Sequence, residues 1–591
     1  MNVHHPEKTI VKISTLFSET LNFKDKTPSR RRWFLIVPLH LVTLLVLLTS
    51  GCSSVEESYD LVIRGGLVVD GTGSSRYIAD IGIKGDTIKS VGDLSAARSL
   101  KLLDVQGLVV APGFIDMHSH SDFALLVDGR ALSKITQGVT TELIGESESA
   151  GPVLGVAIPE REKVLSGLGL SLDWTSLAEY FDRIERQGVS VNIVSTVGLG
   201  QVRASVMGYE DRPAKEEELQ RMKELVEQSM QEGAAGLSSG LIYNVDRNAS
   251  TKEIIALARV AARHGGIYLT HVRGEDDRLL IALQEAIEIG RRARIPVEIL
   301  HFKRAYLLLD REPYVSIQKA AALIERAQKE GVSVNANLYP YAASQTRLDT
   351  RLPDWVHEGG RKKLLSRIRD SRIVPRVLKE VSTELAKGIA GKTPDSILFA
   401  ATPYKLHQMF QGMRISEIAR KLGISPEEAI IELVNQSDGL AMASFFGMRE
   451  QDVRYALVLP WTTIGSDGTA VDPESPFFQS HPHPRWYGTF PRILGFYVRE
   501  EGILDLEEAI RKMTGLSAMR LGLSDRGIIA VGKKADLAIF NPRTIIDRST
   551  FKNPQQLSQG IEYVVVNGEL VLEMGRHTGA LPGRVLKHRG P

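Results

Sequence analysis

The chain has 591 residues, of which 43% are hydrophobic and 24% are charged. This is ordinary globular composition, and the length allows a large domain with a smaller one beside it. The formal net charge of +2 gives no electrostatic footprint for a polyanion, so we expect no nucleic-acid partner.

The first 52 residues are predicted to be a targeting leader. An apolar stretch runs from Trp33 to Ser50, just before Cys52, the single cysteine of the chain. Small residues before a cysteine, behind such a stretch, resemble a bacterial lipoprotein site, and the run from Ser29 to Leu35 resembles a twin-arginine export signal. An uncleaved membrane anchor is the alternative. Both interpretations predict an exported protein, periplasmic or on the cell surface, that meets the membrane only through this leader.

Strand patterns at both ends of the remaining chain predict one β-domain built from the two termini. Apolar runs with turn glycines lie at 59–70, 81–91, 102–110, 535–540 and 561–572. We therefore expect residues 58–110 and 525–580 to form a small β-sandwich domain.

The middle of the chain, residues 111–524, alternates short apolar segments with helical patterns. Eight strand-like segments are predicted to end near His120, Glu146, Gly198, Ser239, Arg273, Lys303, Tyr341 and Asp467. Parallel βα units of that number favour a closed barrel over an open sheet, so we predict an α/β fold with a (β/α)8 TIM-type barrel. The stretch at about 350–455 is too long for one crossover connection, which predicts a helical insertion.

Histidines end three of the predicted barrel strands. His118 and His120 stand two apart in the run 112–120, and side chains two apart on a strand point to the same side, so both can bind one ion. His271 and His301 each end a short apolar strand. Each could instead be a core histidine, but four histidines at strand ends, among 14 in the chain, argue against that for the set. Imidazole nitrogen suits zinc well.

Asp467 follows the last predicted strand, in the run 462–468. An aspartate before a glycine is often only a turn residue. Its place on the closing strand of the barrel favours catalysis, because a carboxylate there can take a proton from an attacking water and deliver it to a leaving nitrogen.

In this order, the motifs resemble the amidohydrolase superfamily, and within it the N-acyl-D-amino-acid deacylase (D-aminoacylase) group. The resemblance covers about residues 58–580. Besides the metal motifs it includes the segments 135–141, 236–240, 339–341, 481–492, 513–522 and 526–537.

The resemblance implies a metal-dependent hydrolase that cleaves the amide bond of N-acyl-D-amino acids or of dipeptides with a D-residue. One or two zinc ions and a small-molecule substrate are implied with it. His118, His120 and Asp467 would line one metal position, and His271 and His301 the other. Asp467 would also be the catalytic proton shuttle.

The resemblance also marks residues that would bind the substrate. Arg485 matches an arginine that pairs with the substrate carboxylate, for which a guanidinium fork is well shaped. Tyr339 matches a tyrosine placed near the substrate. Arg273 and Glu275, just after His271, would either shape the pocket or pair with each other.

One position departs from the group's pattern. The group often bridges its two metals with a cysteine after the second strand, where this chain has Gly145-Glu146-Ser147-Glu148. A carboxylate is a competent zinc ligand and a serine is a poor one. We therefore expect Glu146 to be the bridge, with Glu148 as the alternative.

Two other functions are kept as alternatives. A cyclic amidase of the dihydroorotase or hydantoinase type would use a similar barrel, but such enzymes usually bridge their metals with a carboxylated lysine, and no lysine ends the strand at 236–240. A non-catalytic, lipid-anchored binding protein would have no need of the four histidines and Asp467.

Overall fold

The computed structural model describes residues 58–305, 316–402, 404–478 and 480–590. The leader predicted over residues 1–52, with Cys52, lies outside the described residues. Within the described part of the chain, no helix combines the length and the apolar character that a membrane span needs.

Strands from the two ends of the described chain pair into one nine-stranded sheet. With strands numbered β1–β21 along the chain, its members are β1 Ser58–Val68, β2 Tyr77–Lys84, β3 Thr87–Gly92, β4 Arg98–Asp104, β5 Val109–Pro112, β18 Leu537–Phe540, β19 Ile561–Val566, β20 Glu569–Glu573 and β21 Arg576–His577. The order is β21-β20-β19-β18-β5-β1-β2-β3, and β4 pairs with β1.

The junction of the two termini lies between the antiparallel strands β5 and β18. Side chains alternate across these strands. Val110 and Ile539 pack in the core of this sheet, whereas Val109 and Phe540 pack in the large core of the barrel. The sheet is therefore attached to the barrel through buried apolar contacts, and β5 leads directly into the first barrel strand.

Eight parallel strand paths form the barrel. They are β6 Phe114–Asp116, β7 Val139–Ile144, β8 Asn192–Ser195 with its continuation β9 Val197–Gly198, β10 Gly236–Gly240, β11 Ile267–His271, β12 Val297–Ile299, β13 Val334–Leu338 and β17 Thr462–Ile464. Neighbours pair in parallel along this series.

The barrel closes between its first and last strands. Met117 N–H donates to the Ile464 carbonyl at 3.0 Å, and Asp467 N–H donates to the His118 carbonyl at 2.8 Å. The predicted (β/α)8 fold class is confirmed. Since the carboxyl ends of barrel strands carry the active site in this architecture, the closure decides which side chains meet there.

Helices alternate with the barrel strands and cover them. Their bounds are Ala124–Val127, Leu132–Ile135, Ala157–Gly167, Leu177–Gln187, Leu199–Met207, Glu216–Glu232, Thr251–Arg263, Leu279–Ala293, Ile317–Lys329, Glu450–Val458, Arg485–Arg492, Leu506–Met513 and Gly515–Leu521, with a π-helix at Ile493–Glu500 and a 3-10 turn at Pro476–Phe478. The helix after Ser250 shows why they form. Ser250 Oγ accepts the N–H of Glu253 at 3.2 Å and caps the helix, and its apolar face is buried.

A subdomain with its own core is inserted between β13 and β17. It contains the helices Asp354–His357, Gly360–Arg369, Val374–Leu385, Ile415–Leu422 and Pro426–Gln436, the 3-10 segments Leu348–Arg351, Pro394–Ser396 and Lys405–Phe410, and the strands β14 Ser344–Arg347, β15 Ile397–Ala401 and β16 Met442–Phe445. The strands form an antiparallel sheet in the order β14-β16-β15. The insertion is thus mainly helical, as predicted, with a small sheet that the sequence pattern did not indicate.

Candidate metal centre

All six predicted metal ligands meet at the carboxyl ends of the barrel strands. Among the described residues, three overlapping groups have ligand atoms that all lie within 4.8 Å of one another. The groups are His118, His301 and Asp467; His118, His120 and Glu146; and Glu146, His271 and His301. The arrangement is one continuous cluster rather than separate pairs.

Two of these residues have unusual backbone conformations. His301 and Asp467 have positive φ angles of 38° and 48°. Such angles cost a non-glycine residue of the order of 1–3 kcal/mol and tend to occur at functional sites. Hydrogen bonds hold both residues in place. His301 N–H donates to Asn337 Oδ1 at 2.8 Å, and Asp467 N–H donates to the His118 carbonyl at 2.8 Å.

Glu146 lies between the two sets of histidines. Its Oε2 is 2.8 Å from His118 Nε2 and 3.5 Å from His120 Nε2, while its Oε1 is 3.8 Å from His271 Nδ1. Burial raises the pKa of this carboxyl, but the neighbouring histidines outweigh it and lower the pKa to about 2. Glu146 is therefore ionised at neutral pH, with one oxygen nearest His118 and His120 and the other nearest His271. Glu148 is exposed at the edge of the cavity and belongs to none of the three groups.

The residues fit a metal on the evidence of their unsatisfied atoms. His118 Nδ1, Glu146 Oε1 and His271 Nε2 are buried without a hydrogen-bond partner. Buried polar atoms ordinarily have one, so three such atoms in one cluster need an explanation. Burial also lowers the pKa of His271 to about 3, which leaves its imidazole neutral with a free lone pair. Imidazoles and carboxylates without a thiolate form a donor set suited to zinc and similar divalent ions.

Asp467 connects the histidines to the predicted substrate-binding arginine. Its Oδ1 is 3.0 Å from His120 Nε2, and its Oδ2 is 2.9 Å from Arg485 Nη1. Burial raises the pKa of Asp467, but Arg485 and His118 outweigh it and hold the pKa well below its usual range. The carboxylate is therefore ionised and placed to exchange a proton with a group in the cavity.

Arg485 and Tyr339, the two predicted substrate-binding residues, stack on each other. The Arg485 guanidinium lies 4.6 Å from the centre of the Tyr339 ring, a cation–π arrangement that fixes its plane. Arg485 is 3% exposed, and its Nε has no hydrogen-bond partner. The backbone N–H of Arg485 donates to His483 Nδ1 at 3.0 Å, and this bond anchors the start of the helix Arg485–Arg492. A buried guanidinium with a free donor suits a substrate carboxylate.

Lys303 is a site residue that the sequence analysis did not single out. Its Nζ lies 2.5 Å from Glu275 Oε1 and 2.7 Å from His301 Nδ1. Glu275 Oε1 is also 2.9 Å from His301 Nδ1, so this pair orients the His301 ring. The position of Lys303, two residues after a strand-end histidine, is the signal that could have identified it. Glu275 shapes the pocket, and the alternative pairing was wrong, because Arg273 pairs with Glu285 at 2.9 Å.

The cluster opens into a cavity of about 440 Å³. The barrel contributes all the predicted ligands except His118, with Ile242, Tyr243, Glu275 and Lys303, and the segment 485–486 adds Arg485 and Trp486. The inserted subdomain completes the wall with Gln345 and Arg347 of β14. A second cavity of about 940 Å³ shares the lining residues Tyr243, Thr346 and Arg347 with the first. The open space next to the ligand cluster therefore extends beyond the first cavity.

Comparison with known proteins finds deacylases that are similar to this chain over most of its length. The chain is 36% identical over 532 residues to the D-aminoacylase of Alcaligenes xylosoxydans xylosoxydans. The aligned region covers 90% of this chain and 98% of the relative. The N-acyl-D-glutamate deacylase of Bordetella bronchiseptica, complexed with zinc and a phosphonate inhibitor, superposes with a TM-score of 0.76 at 30% identity, covering 90% of this chain and 100% of that chain.

A D-aminoacylase structure with a binuclear metal centre superposes with a TM-score of 0.74 at 36% identity. The superposition covers 89% of this chain and 99% of that one. Residues 101–572 match the model of the amidohydrolase family. On that match and on the identity over nearly the whole described chain, this protein belongs to the amidohydrolase family.

Proposed function

We propose that this protein is a zinc-dependent deacylase that hydrolyses the amide bond of N-acyl-D-amino acids or of dipeptides that contain a D-residue. The observation that carries the proposal is a six-residue ligand cluster, five members of which line one cavity together with Arg485, which stacks on Tyr339. The similarity to a D-aminoacylase and to a zinc-containing N-acyl-D-glutamate deacylase supports it.

The ligands divide into two sets around Glu146. His118, His120 and Asp467 would hold one ion, and His271 and His301 the other. Glu146 would contribute one oxygen to each, as its distances to the two histidine sets suggest. When bound, zinc lowers the pKa of a water and polarises the carbonyl of the scissile amide.

Asp467 would move the proton. Its carboxylate is ionised at neutral pH and is held by His120 on one side and Arg485 on the other. In that position it would take a proton from the attacking water and deliver it to the leaving nitrogen. Asp467 has a positive φ, and the 2.8 Å hydrogen bond from its backbone N–H to the His118 carbonyl holds that conformation.

Arg485 would hold the substrate carboxylate. Arg485 lines the cavity, its stacking on Tyr339 fixes the plane of its guanidinium, and its buried Nε has no hydrogen-bond partner. The substrate carboxylate would be fixed at Arg485 and the amide at the ligand cluster. The side chain on the α-carbon would then point in one direction in the D-isomer and in a different direction in the L-isomer. This three-point arrangement is how the site would select the D-isomer.

A cyclic amidase is the less favoured alternative. Its usual bridging lysine would stand at the end of β10, which has the sequence Gly-Leu-Ser-Ser-Gly. The position between the histidine sets is taken by Glu146 instead.

Turnover of matched enantiomers tests the proposal. Zinc-loaded protein should hydrolyse N-acetyl-D-amino acids and prefer them to the L-isomers by roughly 100-fold or more, because a fixed carboxylate and a fixed amide leave one hand misplaced. Release of the free amino acid, followed by a ninhydrin or coupled-oxidase assay, measures both rates. Absence of turnover of every D-substrate by zinc-replete protein would overturn the proposal.

We also propose that the protein is exported and lipid-anchored through Cys52. The support is the sequence alone, since the apolar stretch before Cys52 and the three arginines at 30–32 resemble lipidation and export signals. Cell fractionation of the full chain beside Cys52→Ala tests this. The wild type should sediment with membranes and the variant should not; equal distribution of both would contradict it.

A further inference from the structure

A fully buried polar cluster adjoins the metal ligands, and no step of the proposed reaction uses it. Its centre is Lys134, on the short helix Leu132–Ile135, whose side chain is 0% exposed. Lys134 Nζ donates to Asp116 Oδ2 at 2.6 Å and to Ser466 Oγ at 2.9 Å. It also donates to Ser119 Oγ at 3.1 Å.

The partners of Lys134 stand directly beside the metal ligands in the chain. Ser119 separates His118 from His120, and Ser466 immediately precedes Asp467. One ammonium group therefore contacts the neighbours of three ligands, which come from the first and the last strands of the barrel.

Asp116, which forms an ion pair with Lys134, also connects the ends of β6 and β17. Its Oδ1 accepts the N–H of His118 at 3.2 Å and the N–H of Ser466 at 2.7 Å. Its Oδ2 accepts the hydroxyl of Ser466 at 2.5 Å. Ser119 Oγ in turn donates to the Gly468 carbonyl at 3.0 Å. The side chains thus link β6 and β17 where the barrel closes.

The cluster is costly to bury and therefore needs its partners. An ammonium group without solvent is tolerated only when it is paired and fully hydrogen-bonded. Asp116 supplies the opposite charge, and Glu142 Oε2 lies 3.6 Å from Lys134 Nζ. Because these acceptors come from the ends of both β6 and β17, the hydrogen bonding of the buried Lys134 favours one relative position of the two strands.

We propose that Lys134 is a positioning residue for the metal centre, which, with Asp116 and Ser466, sets the distance between the His118–His120 pair and Asp467. This inference rests on the proposed function, because it concerns the zinc position that those three ligands would form. The ligands come from strands that meet at the barrel closure, and the Lys134 cluster is a fully buried side-chain link across it.

Zinc affinity of folded variants tests the inference. Lys134→Met removes the ammonium group, and Ser466→Ala removes only one hydroxyl and suits the test if Lys134→Met does not fold. Each variant should bind zinc about tenfold more weakly or worse in competition with a chromophoric chelator, as is usual when groups that orient metal ligands are lost. The visible spectrum of the cobalt(II)-loaded protein should change with it.

Lys512→Met is the matched control. Lys512 is equally buried and donates to the Thr462 carbonyl at 3.2 Å, at the opposite end of β17 from Asp467. This variant should lose stability but keep wild-type zinc affinity and the wild-type cobalt spectrum. Wild-type affinity in folded Lys134→Met or Ser466→Ala, or an equal loss in Lys512→Met, would overturn the inference. A wild-type protein that binds no zinc would instead refute the proposed function.

Discussion

The carboxylate of Glu146 has one oxygen turned toward His118 and the other toward His271. A carboxylate can bridge two ions in this way because each oxygen carries its own lone pairs. The neighbouring histidines keep it ionised, with a pKa of about 2, so it would bring a full negative charge to the site at neutral pH.

Replacing this charge by an amide of the same shape tests the bridge. We expect Glu146→Gln to weaken zinc binding by about tenfold, or 1.4 kcal/mol, or more, because an amide is a poorer ligand and leaves the imidazoles without a counter-charge. Metal analysis after equilibrium dialysis measures the loss. Glu148→Gln is the matched control two residues away, and it should bind zinc as the wild type does. Equal effects of the two substitutions would contradict the assignment.

Asp467 carries the proton transfer in this account. Asp467→Asn keeps the side-chain shape but cannot accept a proton, so kcat should fall by about 10²–10⁴-fold. Asp472→Asn is the control. Asp472 is not one of the ligands, and its Oδ2 pairs with Arg130 Nη2 at 2.7 Å, so this variant should keep the wild-type kcat. Steady-state kinetics on an N-acetyl-D-amino acid measure both. An Asp467→Asn enzyme with wild-type kcat would exclude Asp467 as the proton shuttle.

At the scale of elements, the barrel strands that carry ligands were predictable, since each is a short apolar run that ends in a polar group. The sequence predicts strands that end near Glu146 and Asp467, and β7 and β17 end two or three residues before these positions. The polar strand β14, with the sequence Ser-Gln-Thr-Arg, was not predicted. It has no buried apolar residue, and only its pairing with β16 makes it a strand.

The Lys134 cluster was not predictable from the sequence for a related reason. Lys134 looks like any surface lysine of a short helix, and its burial follows from the closure of the barrel over it. Lys303 follows the strand-end His301 by two residues, but nothing in the local sequence predicts that its side chain is buried. Tertiary contacts, rather than local sequence, assign both lysines to the interior.

The helix Leu506–Met513 carries another buried lysine, and this one predicts a pH effect. Burial lowers the pKa of Lys512 from its ordinary 10.5 to about 8. Between these two pH values the unfolded chain binds more protons than the folded chain, so the free energy of unfolding gains a contribution that rises with pH.

The magnitude follows from the size of the shift. Relative to Lys512→Met, the wild-type free energy of unfolding should rise by roughly 3 kcal/mol between about pH 8 and pH 10.5. Urea unfolding of both proteins across that interval measures the difference. A difference that stays constant or falls with pH would show that Lys512 remains charged in the folded state.

At the scale of the whole molecule, the sheet, the barrel and the inserted subdomain have different roles. The sheet built from both termini is attached beside the barrel, the barrel gathers the ligands at the carboxyl ends of its strands, and the inserted subdomain covers them with β14. Such a division is typical of barrel enzymes, in which a stable scaffold holds reactive groups contributed by several strands.

A crystal structure of zinc-loaded protein with a D-amino-acid product, recorded at the zinc absorption edge, tests the central claim most directly. We expect anomalous density within bonding distance of Glu146, either between Glu146 and the His118–His120 pair, or between Glu146 and the His271–His301 pair, or at both positions. The product carboxylate should contact Arg485. Zinc away from these residues, or product bound elsewhere with Arg485 still paired only to Asp467, would contradict the account.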